Sequence, residues 1–215
     1  QVVEEAGPFD FILADLGVSS MQIDNPDRGF TYKSEGPLDL RLNPEKGESA
    51  AERLKNVTED ELEGMLVENS DEPYAAEIAQ QVMKKLRQGE MIDTTTKLYE
   101  TIEEALSFIP EKERKEAVKK SCQRTFQALR IDVNSEFEVL YALMEKLPSA
   151  LKSGGKVAIL TFHSGEDRIV KKAFKEWKKA GVYSEIANDV IRPSAKECVR
   201  NSRAKSTKMR WAIKA

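Results

Sequence analysis

The chain has 215 residues, enough for one large domain or for one domain that carries an inserted second domain. Its 40% hydrophobic and 33% charged residues, with a net charge of −3, are typical of a soluble globular protein, and no apolar run approaches the roughly 18 residues that would indicate a membrane span. Cys122 and Cys198 lie far apart among basic residues, which favours unpaired thiols in a reducing compartment over a disulfide framework or a zinc site.

The chain begins without Met, and its first residues are typical of the end of a helix that leads into a strand. They lack the basic start and the apolar core of a secretory signal. We therefore expect a cytoplasmic protein of which this chain is a fragment. The sequence leaves the oligomeric state, monomer or homodimer, open.

The first predicted element is a short buried strand over residues 9–13. Asp15 follows at its carboxyl end, and Gly17 and Ser19-Ser20 supply a turn. Ligands of open parallel sheets bind outside the carboxyl ends of the strands, so Asp15 is a candidate site residue. The alternative is an acid that merely caps the following helix.

The middle of the chain predicts a long ordered loop over residues 24–44, followed by an all-helical region over residues 45–130. Thr58 begins a capping box with Glu61, Gly89 ends the next helix, and Thr94 or Thr95 caps a third. Core packing is a sufficient explanation for the apolar stripes of these helices.

The last third predicts an amphipathic helix over residues 134–151, a glycine turn and an apolar strand from Lys156 to Phe162 that is covered on both faces. A basic helix over residues 168–179 and a closing, half-exposed strand over residues 208–214 follow. The strands at Phe9 and Lys156 are expected to be neighbours in one sheet. The fold class is therefore α/β with a helical insertion, and three strands are fewer than a stable doubly wound sheet needs, which supports the expectation of a fragment.

Two sequence features carry chemistry or charge. The segment TFHSGEDR, residues 161–168, places His163, Ser164, Glu166, Asp167 and Arg168 at the carboxyl end of the second strand. Ser164 and Glu166 could instead cap the basic helix, while a Ser–His–acid hydrolase is disfavoured because there is no Gly-x-Ser-x-Gly elbow. Residues 192–215 hold eight Lys or Arg against one acid, which indicates either a solvated surface or a face for a polyanion such as nucleic acid.

Five segments, in this order, resemble the motifs of one family: DLGVSS at 15–20, DRGF at 27–30 with GPLDLR at 36–41, RTFQALRI at 124–131 with VNSE at 133–136, FHSGEDR at 162–168, and RAKS at 203–206. The chain resembles the bacterial small-subunit rRNA cytosine-N4 methyltransferases, the RsmH or MraW family, over essentially its whole length.

The resemblance implies a class I S-adenosylmethionine-dependent methyltransferase fold, Rossmann-like, with an inserted all-helical domain. Residues 1–28 and 131–215 would belong to the methyltransferase domain and residues 29–130 to the insertion. The fold would be N-terminally incomplete, because the family's glycine-rich cofactor turn lies upstream of DLGVSS. The implied reaction is N4-methylation of a cytidine in the decoding region of 16S rRNA, within the small ribosomal subunit.

The resemblance also implies roles for individual residues. Asp15 would contact the target amine or the cofactor, and Gln22 would contact the cofactor. The catalytic crevice would further be lined by His163, Ser164, Glu166 and Asp167. Substrate or RNA contacts would come from Asp39, Arg41, Arg124, Arg130, Arg168, Arg203, Lys205 and Lys208. In the alternative, Arg124, Gln127, Arg130 and Asn134 clamp the helical insertion against the catalytic sheet.

The chain departs from the family pattern at two positions. Gly165 stands where FHSLEDR usually has Leu, which we expect to lose a packing contact and to add backbone freedom. Glu77 stands where many members carry a base, which puts a possible RNA contact there in doubt. The alternative function is a non-catalytic RNA- or ribosome-binding module derived from the same scaffold.

Overall fold

A computed structural model describes the backbone of residues 2–215 and the side chains from Val3 onward. These residues form two compact units. The sheet unit comprises residues 2–17 and 137–215, and the helical unit comprises Val18–Glu136. The boundaries therefore fall at 17/18 and 136/137, whereas the sequence analysis placed them at 28/29 and 130/131.

The helices and strands of the described residues are, in chain order, α1 (Val2–Ala6), β1 (Phe9–Asp15), α2 (Ser20–Asp24), α3 (Ala50–Asn56), α4 (Glu59–Ser70), α5 (Ala75–Arg87), α6 (Thr95–Ala105), α7 (Glu111–Val133), α8 (Glu136–Ala150), β2 (Leu151–Thr161), α9 (Ser164–Lys179), β3 (Tyr183–Ile186), α10 (Ala195–Arg200) and β4 (Lys208–Lys214). Short 3₁₀ turns occupy Pro26–Arg28 and Ser202–Ser206. No described helix is both long and apolar enough to cross a membrane.

The sheet unit is built on four described strands in the spatial order β1-β2-β4-β3. β1 and β2 are parallel neighbours, with Asp15 opposite Leu160, so the predicted pairing is confirmed. β4 runs antiparallel to both β2 and β3. β3 was not predicted, because its four residues YSEI are too short to give a periodic signal.

The burial expectation for β1 is wrong, whereas the half-exposed character expected of β4 is confirmed. Phe11 and Leu13 of β1 are each 57% exposed, because only the alternate face with Ile12 and Ala14 packs on the core of the sheet unit. β4 lies between β2 and β3, and its most buried residues are Arg210 and Ala212. The buried face of β4 is therefore the face of Arg210 and Ala212, and the larger apolar side chains of this strand are on the other face.

The helical unit has its own apolar core, formed by side chains from the long loop after α2 and from α3 to α7. Three capping boxes begin helices here, pairing Ser19 with Gln22, Ser49 with Glu52, and Thr58 with Glu61. Thr94 caps α6. Between residues 45 and 130, every described element is a helix, as predicted.

Candidate functional site

The carboxyl ends of β1 and β2 form one edge of the sheet. The backbone N–H of Leu16 donates to the carbonyl of Leu160 at 3.1 Å, which keeps the strands paired up to the point where both chains turn away. Gly17 turns with φ of 85°, and a Cβ at this position would lie 3.5 Å from the Phe162 ring. Asp15 and the residues that follow β2 therefore belong to the same edge.

Asp15 is the exposed acid of this edge. Its carboxylate makes no hydrogen bond or ion pair to another described residue, unlike that of Asp10 at the opposite end of β1, which lies 2.8 Å from Lys152 Nζ. A carboxylate without a protein partner retains its full capacity to accept hydrogen bonds from a ligand.

His163 begins α9 as its N-cap, with Nδ1 accepting the backbone N–H of Glu166 at 3.5 Å. A ring nitrogen that accepts a hydrogen bond carries no proton, so the neutral imidazole has its proton on Nε2. Nε2 lies 3.3 Å from Oε1 of Glu166. The alternative in which Ser164 caps this helix is wrong, because Ser164 is the first residue of α9 and is exposed.

Glu166 is 3% exposed and binds back to the strand end. Its Oε2 accepts the backbone N–H of Phe162 at 2.8 Å, while Oε1 faces the His163 ring. The carboxylate therefore ties the end of β2 to the first turn of α9 and lies beside the His163 ring.

Asp167 faces away from this pair and binds β4. Its carboxylate receives two hydrogen bonds from Arg210, at 2.7 and 3.2 Å, and lies 3.9 Å from Lys208 Nζ. Burial by itself raises the pKa of Asp167, but the hydrogen bonds and charge of Arg210 outweigh it and hold the pKa below its usual value. No sequence signal pointed to the partner Arg210, because β4 meets α9 only in the folded chain.

In the helical unit, the acid and base of GPLDLR bind each other. Arg41 donates from Nε and Nη2 to the two carboxylate oxygens of Asp39, at 2.7 and 2.9 Å. Burial raises the pKa of Asp39, and the opposing hydrogen bonds from Arg41 bring it below its usual value. Gln22 also has a local partner, since its Oε1 accepts the backbone N–H of Ser19 at 2.9 Å.

The polar residues of RTFQALRI and VNSE find partners within the helical unit. Arg130 binds both carboxylate oxygens of Glu136, at 2.7 and 2.9 Å, and Arg124 lies 3.9 Å from Glu72. Gln127 donates to the Asn69 carbonyl, and Asn134 donates to the Leu40 carbonyl and accepts from the Leu42 N–H. These contacts brace the helical unit internally, and the clamp of the insertion onto the catalytic sheet stays a prediction.

The basic segment near the C-terminus divides into two groups. Lys208 and Arg210 face Asp167, and Lys214 donates to the Leu151 carbonyl. The side chains exposed on or beside α10 and the second 3₁₀ turn are those of Arg192, Lys196, Arg200, Arg203 and Lys205. Arg168 on α9 is exposed as well. The second group offers positive charge to a polyanion.

Comparison with known proteins identifies one family and several similar relatives. The model of the MraW methylase family matches residues 1–215. The chain is 69% identical to ribosomal RNA small subunit methyltransferase H 1 of Lachnoclostridium phytofermentans, with 100% of the chain and 59% of that protein covered. It is 66% identical to the protein of the same name from Agathobacter rectalis, covering 100% of the chain and 62% of the relative. The methyltransferase H of Thioalkalivibrio sulfidiphilus is 38% identical, with 96% of the chain and 68% of that protein covered. The chain thus spans about three fifths of the length of the first two relatives.

Proposed function

Because this chain belongs to the MraW methylase family, with the mixed α/β fold of class I methyltransferases, we propose that it is part of an enzyme that methylates N4 of a cytidine in small-subunit rRNA. The observation that carries this proposal is Asp15, whose exposed carboxylate has no partner among the described residues and lies at the shared carboxyl edge of β1 and β2. The alternative of a non-catalytic RNA-binding module is not favoured, since the relatives that match the whole chain are named as methyltransferases.

S-adenosylmethionine, the methyl donor that the fold implies, supplies an electrophilic methyl group on a sulfonium. The acid at the sheet edge fits such a cation, because Asp15 is exposed and its carboxylate is unpaired within the described part of the chain. In this proposal Asp15 contributes to binding the donor or the target amine, and Gln22 contributes its amide N–H groups, which its capping bond through Oε1 leaves available.

Cytosine N4 is a weak nucleophile, since its lone pair is delocalised into the ring. A bound S-adenosylmethionine would supply the methyl group and keep the electron pair of the broken carbon–sulfur bond as a thioether, while N4 would bond to the methyl carbon and give up one proton to solvent. Asp15 orients the amine by accepting a hydrogen bond from one of its protons, and positioning of this kind is a large part of what an active site contributes. His163, whose Nδ1 accepts the backbone N–H of Glu166, offers a second polar group at the same edge.

The exposed basic side chains on and beside α10 extend the proposal to the RNA. Contacts from Arg192, Lys196, Arg200, Arg203 and Lys205 to phosphates would position the substrate without reading its sequence. The target base must leave its stack to expose N4. A cytidine of 16S rRNA in the decoding region, and a cytoplasmic location with the ribosome, complete the proposal.

The test compares Asp15→Asn with Asp10→Asn in the complete protein, using isolated small ribosomal subunits as substrate. Asp10 lies on the same strand and its carboxylate has a surface partner, so the two substitutions are chemically matched. N4-methylcytidine is measured by mass spectrometry of digested rRNA. We expect Asp15→Asn to lower the rate about 100-fold and Asp10→Asn to leave it unchanged. A wild-type rate for Asp15→Asn would remove the role of Asp15, and no N4-methylcytidine from the wild-type protein would refute the function.

A further inference from the structure

The solvent face of α9 carries four exposed lysines, which we call the α9 lysine row: Lys171, Lys172, Lys175 and Lys179. Lys171, Lys175 and Lys179 are four residues apart, and Lys172 precedes Lys175 by three, so all four side chains are neighbours on the surface of the helix. At 1.5 Å per residue the row is about 12 Å long. It therefore presents a straight line of positive charge on a rigid element.

The acids of α9 neutralise little of this charge. Asp167 binds Arg210 of β4, and the Glu166 carboxylate is buried. Glu176 is the exposed acid of the helix, and its carboxylate lies 4.0 Å from Nζ of Lys172. An exposed ion pair of this length contributes little binding energy, so it does not keep Lys172 from another anion.

The opposite face of α9 is packed on the sheet. Ile169, Val170 and Phe174 are buried in the core of the sheet unit, and the Phe174 ring meets the Tyr183 ring edge-on at 5.6 Å. A basic helix that binds a lipid bilayer inserts its apolar face between the headgroups. Because that face of α9 is already occupied, the helix offers only charge, and its partner is a polyanion.

The lysine row continues the basic surface near the C-terminus. Nζ of Lys208 lies 3.9 Å from the Asp167 carboxylate, in the first turn of α9. The second 3₁₀ turn, with the exposed Arg203 and Lys205, ends two residues before Lys208. The row thus extends the positive charge proposed above for RNA phosphates along the sheet unit.

The exposed residues of α9 favour a nucleic acid over an acidic protein. All of them are polar, whereas protein interfaces are anchored by buried aromatic and apolar side chains. Interfaces with duplex nucleic acid are more polar and more positive than those between proteins. The composition of this face therefore matches phosphates.

The same face favours double-stranded over single-stranded RNA. Proteins that hold single strands combine positive charge with exposed aromatic side chains, on which the bases stack. The two aromatic residues of α9, Phe174 and Trp177, pack on the core of the sheet unit instead. Double-stranded RNA is recognised through its shape and its phosphates, for which a rigid line of cations is sufficient.

We infer that the α9 lysine row binds the phosphate backbone of a double-stranded segment of the substrate RNA, apart from the unpaired cytidine that is methylated. The inference rests on the proposed function, which makes RNA the substrate. It divides the work of the sheet unit between two places. The edge at Asp15 acts on an extruded base, and α9 holds a neighbouring duplex and so positions the RNA.

The test replaces Lys171, Lys172 and Lys175 by Ala in the complete protein. Alanine favours the helix, and circular dichroism verifies the fold. Filter binding at several salt concentrations uses two probes, a duplex RNA of about 16 base pairs and single-stranded oligouridine. We expect the slope of log K against log salt for the duplex to become shallower by about 2–3, one phosphate contact for each lysine. The slope for oligouridine should stay as in the wild type.

Two further variants serve as controls. Replacing the same three lysines by Arg keeps the charge and should keep the duplex slope. Replacing the exposed Lys84, Lys112 and Lys115 of the helical unit by Ala should also leave that slope unchanged. Equal slopes for the two alanine variants, or equal losses for duplex and oligouridine, would overturn the inference. It also fails if the α9 variant loses binding to polyglutamate and keeps binding to the duplex, because the row then serves an acidic protein.

Methylation of isolated small ribosomal subunits separates this inference from the proposed function. The α9 alanine variant should raise KM for the subunit and leave kcat unchanged, since the row touches no reacting atom. If the wild type makes N4-methylcytidine and the α9 variant binds the duplex as the wild type does, the role of α9 fails and the function stands. If the wild type makes no N4-methylcytidine, the function fails, and the duplex titration still decides whether α9 binds double-stranded RNA.

Discussion

Phe137 occupies the space that a side chain at position 165 would need. A Cβ built on Gly165 would lie 2.6 Å from Cζ of Phe137 and 3.2 Å from Nδ1 of His163. The rings of Phe137 and His163 are 5.9 Å apart. The expectation that Gly165 loses a packing contact is therefore wrong, since Phe137 of α8 fills the volume that the usual Leu would take.

This relationship predicts that Gly165→Leu, which restores the residue typical of the family, destabilises this chain. Overpacking against Phe137 should lower the free energy of unfolding by about 2–3 kcal/mol. The double variant Phe137→Leu/Gly165→Leu should recover most of that loss, because it exchanges the large and small partners. Urea denaturation of the wild type, both single variants and the double variant measures the coupling.

The single histidine of the chain gives this prediction a local readout. Imidazole nitrogen NMR should find Nδ1 unprotonated in the wild type and in the double variant, with the ring displaced in Gly165→Leu. Additive effects of the two substitutions, or an unchanged His163 spectrum in Gly165→Leu, would contradict the packing relationship.

The ion pair of Asp167 and Arg210 should make the free energy of unfolding depend on pH. The pKa of Asp167 lies below its ordinary value of 3.8 in the folded protein. The pair therefore contributes fully to the free energy of unfolding when the pH is above the ordinary pKa of 3.8. This contribution is lost as the pH falls through the lower pKa of the folded protein. Asp167→Asn should cost about 3 kcal/mol at pH 7, since Arg210 is left buried without its charge partner, and the difference from wild type should shrink below about pH 4.

Denaturation curves test this dependence. They are recorded between pH 2.5 and 7, an interval that includes the ordinary Asp pKa of 3.8. Asp10→Asn serves as the control, because the Asp10 carboxylate is 83% exposed and should have little influence at any pH. A difference between Asp167→Asn and wild type that stays constant with pH would exclude the proposed linkage.

The two thiols should differ in reactivity. Cys122 is buried in the core of the helical unit, and burial raises its pKa to about 12, whereas Cys198 on α10 is partly exposed. At pH 8 a disulfide reagent should modify one thiol of the native chain quickly and the second only after denaturant is added. Mass spectrometry of peptides identifies the thiol, and fast labelling of Cys122 under native conditions would contradict the buried position.

The exposed basic side chains near the C-terminus should determine the salt dependence of RNA binding. Replacing Lys196, Arg200 and Lys205 by Ala should reduce the slope of log K against log salt by about 2, if each residue contacts one phosphate. The matched variant replaces three exposed lysines of the helical unit, Lys84, Lys112 and Lys115. Filter binding to a small-subunit RNA fragment at several salt concentrations measures both, and equal slopes for the two triple variants would refute a specific role for the basic segment.

Several elements could be predicted because their signals are local. Thr58 and Glu61 are three residues apart and bond each other's backbone at the start of α4, whatever the rest of the chain does. Residues 156–161 are apolar enough to indicate a strand covered on both faces, and the neighbouring Val157 and Ala158, which point to opposite faces, are both buried. The order of the motifs likewise predicted the family and the shared sheet edge of Asp15 and His163.

Other features depend on partners far away in the chain. The four residues of β3 become a strand only because β4, more than twenty residues later, supplies their hydrogen bonds. Arg210 is buried because Asp167 of α9 neutralises it, although an arginine within an alternating strand would be assigned to the solvent face.

The sequence by itself therefore determined the family, the helices of the central region and the position of the candidate acid, all of which are encoded in residues close together in the chain. Only the tertiary structure decided which polar residues are already engaged, as Asp39 is by Arg41 and Asp167 by Arg210, and which retain free hydrogen-bonding capacity, as Asp15 does. It also decided that Phe137 replaces the missing side chain at Gly165. The physical reason is that burial, charge pairing and the filling of space are properties of atoms brought together by folding, and sequence spacing does not specify them.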